Sequence, residues 1–185
     1  EVVSGENDLD VEITPNRPDC MSHFGISREI SVLTEKPLKR PVFNVKEIKE
    51  RAEDSINLEI LNPAECPRYA CRIVKNVQIA PSPSWMSKRL ESVGIRSVNN
   101  VVDISNYVLM ELGHPLHIFD LDQLKDSKIS VRLAKKDETF TTLDDIERKL
   151  TNDHLLICDG KRPVALAGIM GGLNSEVTVK TKNVL

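Results

Sequence analysis

The sequence lacks a long uninterrupted apolar run, and no stretch approaches the roughly 18 residues needed to cross a bilayer. Its first residues also lack the basic, apolar and small-residue pattern of a secretory signal peptide. These absences exclude a protein that spans the membrane with helices. We therefore expect a cytoplasmic protein with no membrane partner.

Cysteines are few and scattered; they are Cys20, Cys66, Cys71 and Cys158. No C-x-x-C pair occurs, and no histidine stands at ligand spacing to complete a zinc site. Three aspartates could suggest a metal site, but they lack the spacing of a known calcium loop; they are Asp103, Asp120 and Asp122. We expect reduced thiols and no metal bound by this chain.

The chain also lacks an excess of positive charge, because 25 lysines and arginines face 28 acidic residues and the net charge is −3. Strong non-specific binding to nucleic acid depends on basic patches. The composition therefore argues against a DNA partner, and an RNA partner would owe most of its affinity to residues elsewhere. With 185 residues, the chain can hold one sizeable core, or one domain and a smaller appendage. Because it starts at Glu1 and stops at Leu185 inside an apolar run, we expect a piece of a longer protein.

Turn residues and charge divide the N-terminal part. Residues 1–9 are polar and predict a loose connection, and alternation over 10–14 favours a short strand. Asp19 is predicted to cap a helix that ends near Thr34. Residues 36–51, with two prolines and alternating charge, indicate a linker.

The remaining pattern is mostly one of strands. Alternating or apolar runs predict strands at 56–61, 68–79, 129–133, 138–143, 155–158 and 163–169. Ser82 or Ser84 can cap a helix that is closed by Gly94. We expect an α+β fold, in which mixed β-sheets pack with two main helices, plus a small N-terminal helical piece.

The second main helix is predicted over residues 99–112 from its apolar periodicity. Gly113 supplies a left-handed C-terminal position, and Pro115 forbids continuation. Asp103 and Asn106 lie one turn apart on one face of this helix. Such a polar stripe can line a buried site, although the pattern alone favours a face turned to water.

Two further features could form a site. Gly171 and Gly172, at the end of an apolar run that also holds Gly168, let the backbone approach a neighbour closely, or else form a tight turn. His117, two residues past Pro115, could orient or deprotonate a water, or make a structural hydrogen bond. No nucleophilic triad is evident in the sequence.

Several stretches resemble the β subunit of bacterial phenylalanyl-tRNA synthetase, and in particular its editing module. The matching residues are Arg96, 101–107, 111–117, Phe119, Asp120, 167–172 and, nearer the N-terminus, 13–20 and 25–29. The resemblance implies that residues 1–40 are a strand–helix segment of the preceding domain. It also implies that residues 41–185 are the editing module, cut at its C-terminal end.

The resemblance implies a function for this segment. A synthetase that charges tRNA with phenylalanine cannot easily reject tyrosine, which differs by one hydroxyl group. A second site that bonds this hydroxyl would select the error and hydrolyse tyrosyl-tRNA(Phe). Charging itself, with its ATP and magnesium, belongs to the α subunit and not to this segment. The implied partners are the acceptor end of tRNA(Phe) and the α subunit, in a heterotetramer.

The resemblance also implies roles for particular residues. Arg96 and Asn106 would hold the terminal adenosine or the aminoacyl group, and Ser105 and His117 would place the attacking water. Gly171 and Gly172 would line the ring pocket or receive the carbonyl oxygen. The family usually has threonine where this chain has Ser105, so the hydroxyl is kept and a methyl group is lost.

The family also places a glutamate, thought to read the tyrosine hydroxyl, shortly after the Asn-Val-Leu run that ends this sequence. We therefore expect the isolated chain to edit poorly or not at all. Two alternatives remain at this stage. One is a non-catalytic module that positions tRNA or contacts the α subunit. The other is a freestanding deacylase of different specificity, which the N-terminal resemblance disfavours.

Overall fold

A computed structural model describes residues 2–4 and 9–185, with no side-chain detail at 2–4. The chain forms two compact units. The helical unit comprises Glu1–Val45 and Ala80–Leu116, and the sheet unit comprises Lys46–Ile79 and His117–Leu185. No helix in the described ranges is long and apolar enough to cross a membrane.

Among its described residues, the helical unit contains one pair of short strands and three α-helices. Strands β1 (Val2–Ser4) and β2 (Leu9–Val11) pair antiparallel. The helices are α1 (His23–Thr34), α2 (Ser84–Ser92) and α3 (Asn100–Leu112). The loose connection predicted for residues 1–9 is therefore wrong for residues 2–4 and for Leu9, and residues 1 and 5–8 lie outside the described residues. The strand predicted at 10–14 ends earlier, at Val11.

Helix capping differs from the prediction in two places. The side chain of Ser22, not Asp19, caps α1 by accepting a hydrogen bond of 3.0 Å from the backbone of Gly25. Asp19 instead pairs with Arg17. At α2 neither predicted serine is the cap, because Pro83 takes the N-cap position without a side-chain bond.

The ends of α3 follow the prediction. The Asn99 side chain accepts hydrogen bonds from the backbone N–H groups of Val101 at 3.1 Å and Val102 at 3.0 Å. Gly113 closes the helix in the left-handed conformation with φ of 76°, which glycine adopts without a Cβ clash.

Helices α2 and α3 pack through aromatic side chains. The rings of Trp85 and Tyr107 meet edge to face with centroids 5.5 Å apart. The Arg89 guanidinium lies over the Trp85 ring and donates a hydrogen bond of 2.8 Å to the Tyr107 hydroxyl. These contacts fix the two helices against each other.

The sheet unit is built on one five-stranded mixed sheet in the order β3-β4-β7-β8-β9. Its strands are β3 (Asn57–Ile60), β4 (Lys128–Leu133), β7 (Leu155–Cys158), β8 (Pro163–Leu166) and β9 (Met170–Gly171). β3 runs parallel to β4, and the other neighbours pair antiparallel. A separate hairpin joins β5 (Thr139–Thr141) and β6 (Glu147–Lys149). The predicted α+β class with mixed sheets is confirmed.

The prediction of a strand at 68–79 is wrong, because this segment does not form a continuous hydrogen-bonded ladder with a neighbouring strand. The segment is extended, but only Val74 makes a bridge, to Val184, and Val77 N–H bonds to the Lys182 carbonyl. Its alternation is nevertheless meaningful, because Tyr69, Cys71 and Ile73 pack against the buried core of the sheet. The core itself is made by the central strands and Phe119; its most buried members are Phe119, Ile129, Leu156 and Val164.

A bidentate ion pair joins β4 to the turn before β5. Arg132 donates to both carboxylate oxygens of Glu138, at 2.9 and 2.7 Å, and both side chains are largely buried. The hydrogen bond from Arg132 is the main reason that the pKa of Glu138 is lowered. The Lys135 backbone N–H also donates to Glu138, so this carboxylate also closes the turn.

We expect Glu138→Gln to reduce the free energy of unfolding by about 2 kcal/mol, because a largely buried arginine loses its counter-ion. A carboxyl group whose pKa is lowered by folding stabilises the protein above its unfolded pKa and loses that effect as pH falls. Urea unfolding at neutral pH and below pH 4 should therefore show the difference shrinking in acid. The exposed Glu147→Gln is the control and should change little; an equal effect of both changes would contradict the argument.

Candidate functional site

His117 lies in the sheet unit, where the other end of the chain holds its segment in place. Phe119 and Leu185 exchange backbone hydrogen bonds of 2.9 and 3.0 Å, and Leu121 N–H bonds to the Asn183 carbonyl at 2.9 Å. The buried carboxylate of Asp120 accepts a hydrogen bond of 2.6 Å from the Thr181 hydroxyl. The backbone that carries His117 is therefore fixed by residues more than sixty positions away.

Gly171 faces the imidazole of His117 at very close range. A Cβ atom built on Gly171 would lie 2.5 Å from His117 Cε1 and 2.9 Å from Nε2. No real side chain tolerates these distances, so only glycine leaves the ring in this position. Gly171 itself is fixed by the pairing of β9 with β8 and by the Leu143 N–H, which bonds to the Gly171 carbonyl at 3.0 Å.

The imidazole of His117 belongs to an exposed residue, but its ring also packs against neighbouring protein atoms. Its ring lies 4.3 Å from the Phe119 ring, centroid to centroid, at a tilt of 42°. Although the residue as a whole is exposed to solvent, the atoms packed around the ring exclude water from part of it. This desolvation lowers the pKa of His117 below its ordinary value. A neutral imidazole can accept a proton from water at physiological pH.

Gly172 follows Gly171 in the chain but contacts different residues. Its N–H donates to the Val164 carbonyl at 2.9 Å, so this amide is already used within the sheet. A Cβ here would meet Phe140 Cζ at 2.6 Å. This amide is therefore not available to receive a carbonyl oxygen, and the role of Gly172 as a wall of the ring pocket stays a prediction. The tight turn of this region is made by Gly168, with φ of 71°.

The other predicted site residues belong to the helical unit. Arg96 is exposed in the connection between α2 and α3, and Asn106 is half-buried on α3. Within the part of the chain that the structure describes, neither side chain has a hydrogen-bond or ion-pair partner. The Ser105 hydroxyl donates to the Val102 carbonyl at 2.7 Å, so its proton is used by the helix while its lone pairs remain able to accept.

Asp103, which the pattern placed on a water-facing stripe, is completely buried. It accepts hydrogen bonds from the Ser82 hydroxyl, the Ser97 hydroxyl at 2.5 Å and the Val98 N–H at 2.9 Å. Burial alone raises the pKa of Asp103, but these three bonds outweigh it and hold the pKa below its ordinary value. The expectation that this face is solvated is therefore wrong at Asp103.

One group of described residues brings three potential metal ligands together, namely Asp19, Cys20 and Glu29. Arg17 lies among them and donates to Asp19 at 2.9 Å, Glu29 at 2.8 Å and the Cys20 sulfur at 3.1 Å. The guanidinium thus satisfies these ligand atoms, and the group is an ion-pair network at the start of α1.

The sheet unit thus places the imidazole of His117 against a glycine of a paired strand, within an α+β module. The family model of the B3/4 domain matches residues 65–185, which is most of the chain. The chain therefore belongs to the B3/4 domain family.

Curated relatives extend the likeness beyond that domain. The chain is 52% identical over 176 residues to the phenylalanine–tRNA ligase beta subunit of Geobacillus kaustophilus, covering 95% of this chain and 22% of that protein. It is 50% identical over 177 residues to the beta subunit from Syntrophus aciditrophicus, again covering 22% of it. The chain thus spans about a fifth of the length of these relatives. The resemblance to this β subunit is confirmed, and the role in editing stays a proposal.

A solved structure shares the fold. It is the crystal structure of an N-terminal fragment of the phenylalanyl-tRNA synthetase beta subunit from Pyrococcus horikoshii. The TM-score is 0.52 at 20% identity, and the match covers 100% of this chain and 56% of the other. At that identity the likeness concerns the fold.

Proposed function

We propose that this chain is part of the β subunit of a bacterial phenylalanine–tRNA ligase and contributes to hydrolysis of mischarged tyrosyl-tRNA(Phe). One observation supports the proposal most: the imidazole of His117 lies against Gly171, where a Cβ would come within 2.5 Å of the ring. A glycine in a strand, at a position where a side chain would collide with an imidazole, is typical of a site where the backbone and a ligand approach closely.

The chemistry we propose is the attack of a positioned water on the ester that joins tyrosine to the tRNA. His117 accepts a proton from this water as it attacks, which its lowered pKa permits at neutral pH. The ester C–O bond to the ribose then breaks, and the proton passes from His117 to the leaving ribose oxygen, which gives free tyrosine and tRNA. No covalent intermediate on the protein is needed. Ser105 is not the nucleophile, because its hydroxyl proton is donated to the Val102 carbonyl; it accepts a hydrogen bond from water or RNA instead.

RNA contacts are proposed for the helical unit. Arg96 and Asn106 have no internal partner in the described part of the chain, so an acceptor end that reaches them replaces their hydrogen bonds to water and breaks none within the protein. A free guanidinium favours phosphate and the oxygens of an aminoacyl group. The net charge of −3 implies that most of the tRNA affinity comes from the rest of the β subunit and from the α subunit.

The proposal includes the cytoplasm as the location, the α subunit as the partner, and charging with ATP and magnesium in that subunit. Selection of tyrosine rests on a buried acceptor for its hydroxyl, since phenylalanine would leave such a group unpaired. We expect this acceptor to come from the part of the β subunit that follows residue 185. The isolated chain is then a weak or inactive editor.

The test uses the complete ligase, α and β together, with tRNA(Phe) charged with tyrosine or with phenylalanine. We expect deacylation of tyrosyl-tRNA to exceed that of phenylalanyl-tRNA by at least about 100-fold, the scale on which one unpaired buried group discriminates. If the ligase binds both tRNAs but hydrolyses neither faster than buffer does, a non-catalytic tRNA-positioning module would be the correct function.

A further inference from the structure

The buried carboxylate of Asp103 joins three separate pieces of the helical unit. Ser82 precedes α2, Ser97 and Val98 lie in the connection from α2 to α3, and Asp103 itself is in the first turns of α3. The Ser82 hydroxyl, the Ser97 hydroxyl and the Val98 N–H all donate to this single side chain. A carboxylate suits this arrangement because it accepts several hydrogen bonds and donates none.

Two further hydrogen bonds, between Ala80 and Asn100, strengthen this junction. Asn100 N–H donates to the Ala80 carbonyl at 2.9 Å, and Ala80 N–H donates to the Asn100 side-chain oxygen at 3.2 Å. Among the described residues no lysine or arginine pairs with Asp103. Its negative charge is therefore stabilised by the three donors and by the positive end of α3, the helix that carries it.

The residue that gains most from this junction is Arg96. It directly precedes Ser97, one of the anchored residues, yet its own side chain is exposed and has no partner in the described ranges. The backbone that carries this guanidinium is held in place, while the guanidinium itself is free to move. Holding the backbone lowers the conformational entropy that is lost when the side chain binds an anion.

We propose that Asp103 is a positioning residue for Arg96, holding the connection before α3 so that this guanidinium is preorganised for the aminoacyl end of the tRNA. This proposal rests on the proposed function. Asp103 touches no substrate and acts only through the Ser97–Val98 backbone, and so its loss should weaken substrate capture and leave the hydrolytic step alone.

The test is a double-mutant cycle in the complete ligase, with Arg96→Ala, Asp103→Asn and the double variant assayed on tyrosyl-tRNA(Phe). We expect Arg96→Ala to raise KM about 30-fold and Asp103→Asn about tenfold, with kcat within twofold of wild type. The double variant should match Arg96→Ala alone, because nothing remains for Asp103 to position. Asp10→Asn, an exposed carboxylate in the same unit, is the matched control and should behave as wild type.

Ser97→Ala covers the case in which Asp103→Asn fails to fold, since it removes one donor and leaves the carboxylate in place. It should raise KM about threefold in the wild-type background and not at all with Arg96→Ala. Effects of Asp103 and Arg96 that multiply, or a Ser97→Ala variant equal to wild type, would overturn the positioning role. A wild-type ligase that does not deacylate tyrosyl-tRNA would overturn the proposed function, and this role with it.

Discussion

Gly171→Ala is expected to lower kcat/KM for deacylation of tyrosyl-tRNA(Phe) by at least about 100-fold in the complete ligase. The new methyl group would lie 2.5 Å from His117 Cε1 and 2.9 Å from Nε2, well inside van der Waals contact. Because the obstructing atoms are the far end of a side chain with access to solvent, the ring can rotate away. Displacing a reacting group by about 1 Å already costs roughly 100-fold.

The same reasoning predicts that the fold survives. Gly171 does not adopt a positive φ, so alanine fits its extended backbone, and the thermal midpoint should fall by only a few degrees. Gly168→Ala is the matched control on the adjoining turn. Nothing lies within 4 Å of its Cβ position, but its φ of 71° strains any other residue, costing about 1 kcal/mol.

The two variants should therefore separate stability from activity. Both variants should lower the thermal midpoint by a similar few degrees, but Gly168→Ala should keep deacylation near wild type, whereas Gly171→Ala should lose it. If Gly171→Ala keeps full deacylation, the close approach of the strand to His117 has no role in catalysis. The main observation that supports the proposed function is then lost.

Local signals in the sequence were enough for α3. Its apolar periodicity and the left-handed Gly113 are properties of neighbouring residues, and the helix ends where they predict; Asn99, predicted as its first residue, is its N-cap. Asp103 could not be placed in this way. Its burial depends on donors at Ser82 and Ser97, which no periodic pattern links to α3.

Strand prediction shows the same division. The alternation over 68–79 correctly indicates which side chains meet the core, but a ladder also needs a partner strand, and here only Val74 bridges to Val184. The glycines are a parallel case. The sequence could not show that Gly168 makes the turn while Gly171 leaves space for the ring of His117. The histidine is 54 positions away in the chain, and the pairing of Phe119 with Leu185 holds its segment in place.

His117→Ala is expected to reduce kcat for deacylation of tyrosyl-tRNA(Phe) about 100- to 1,000-fold, the usual contribution of a general base. Phenylalanine charging by the same preparation should be unchanged and shows that the ligase is intact. His114→Ala, an exposed histidine three positions earlier, should leave both activities at wild-type values. Full deacylation by His117→Ala would remove this imidazole from the mechanism.

The pH dependence gives an independent check on the role of His117. Desolvation favours the neutral ring and lowers its pKa below the ordinary 6.5, so deacylation should persist at mildly acidic pH and fall only when the pH drops below this lowered pKa. The residual activity of His117→Ala should lack that acidic limb. Because protonation favours the unfolded state for such a group, the stability of the wild type should also decline as pH falls through 6.5, and His117→Ala should show less of this decline. A wild-type acidic limb centred above 6.5 would mean that a nearby anion, not desolvation, controls the ring, and the neutral-base mechanism would then be wrong.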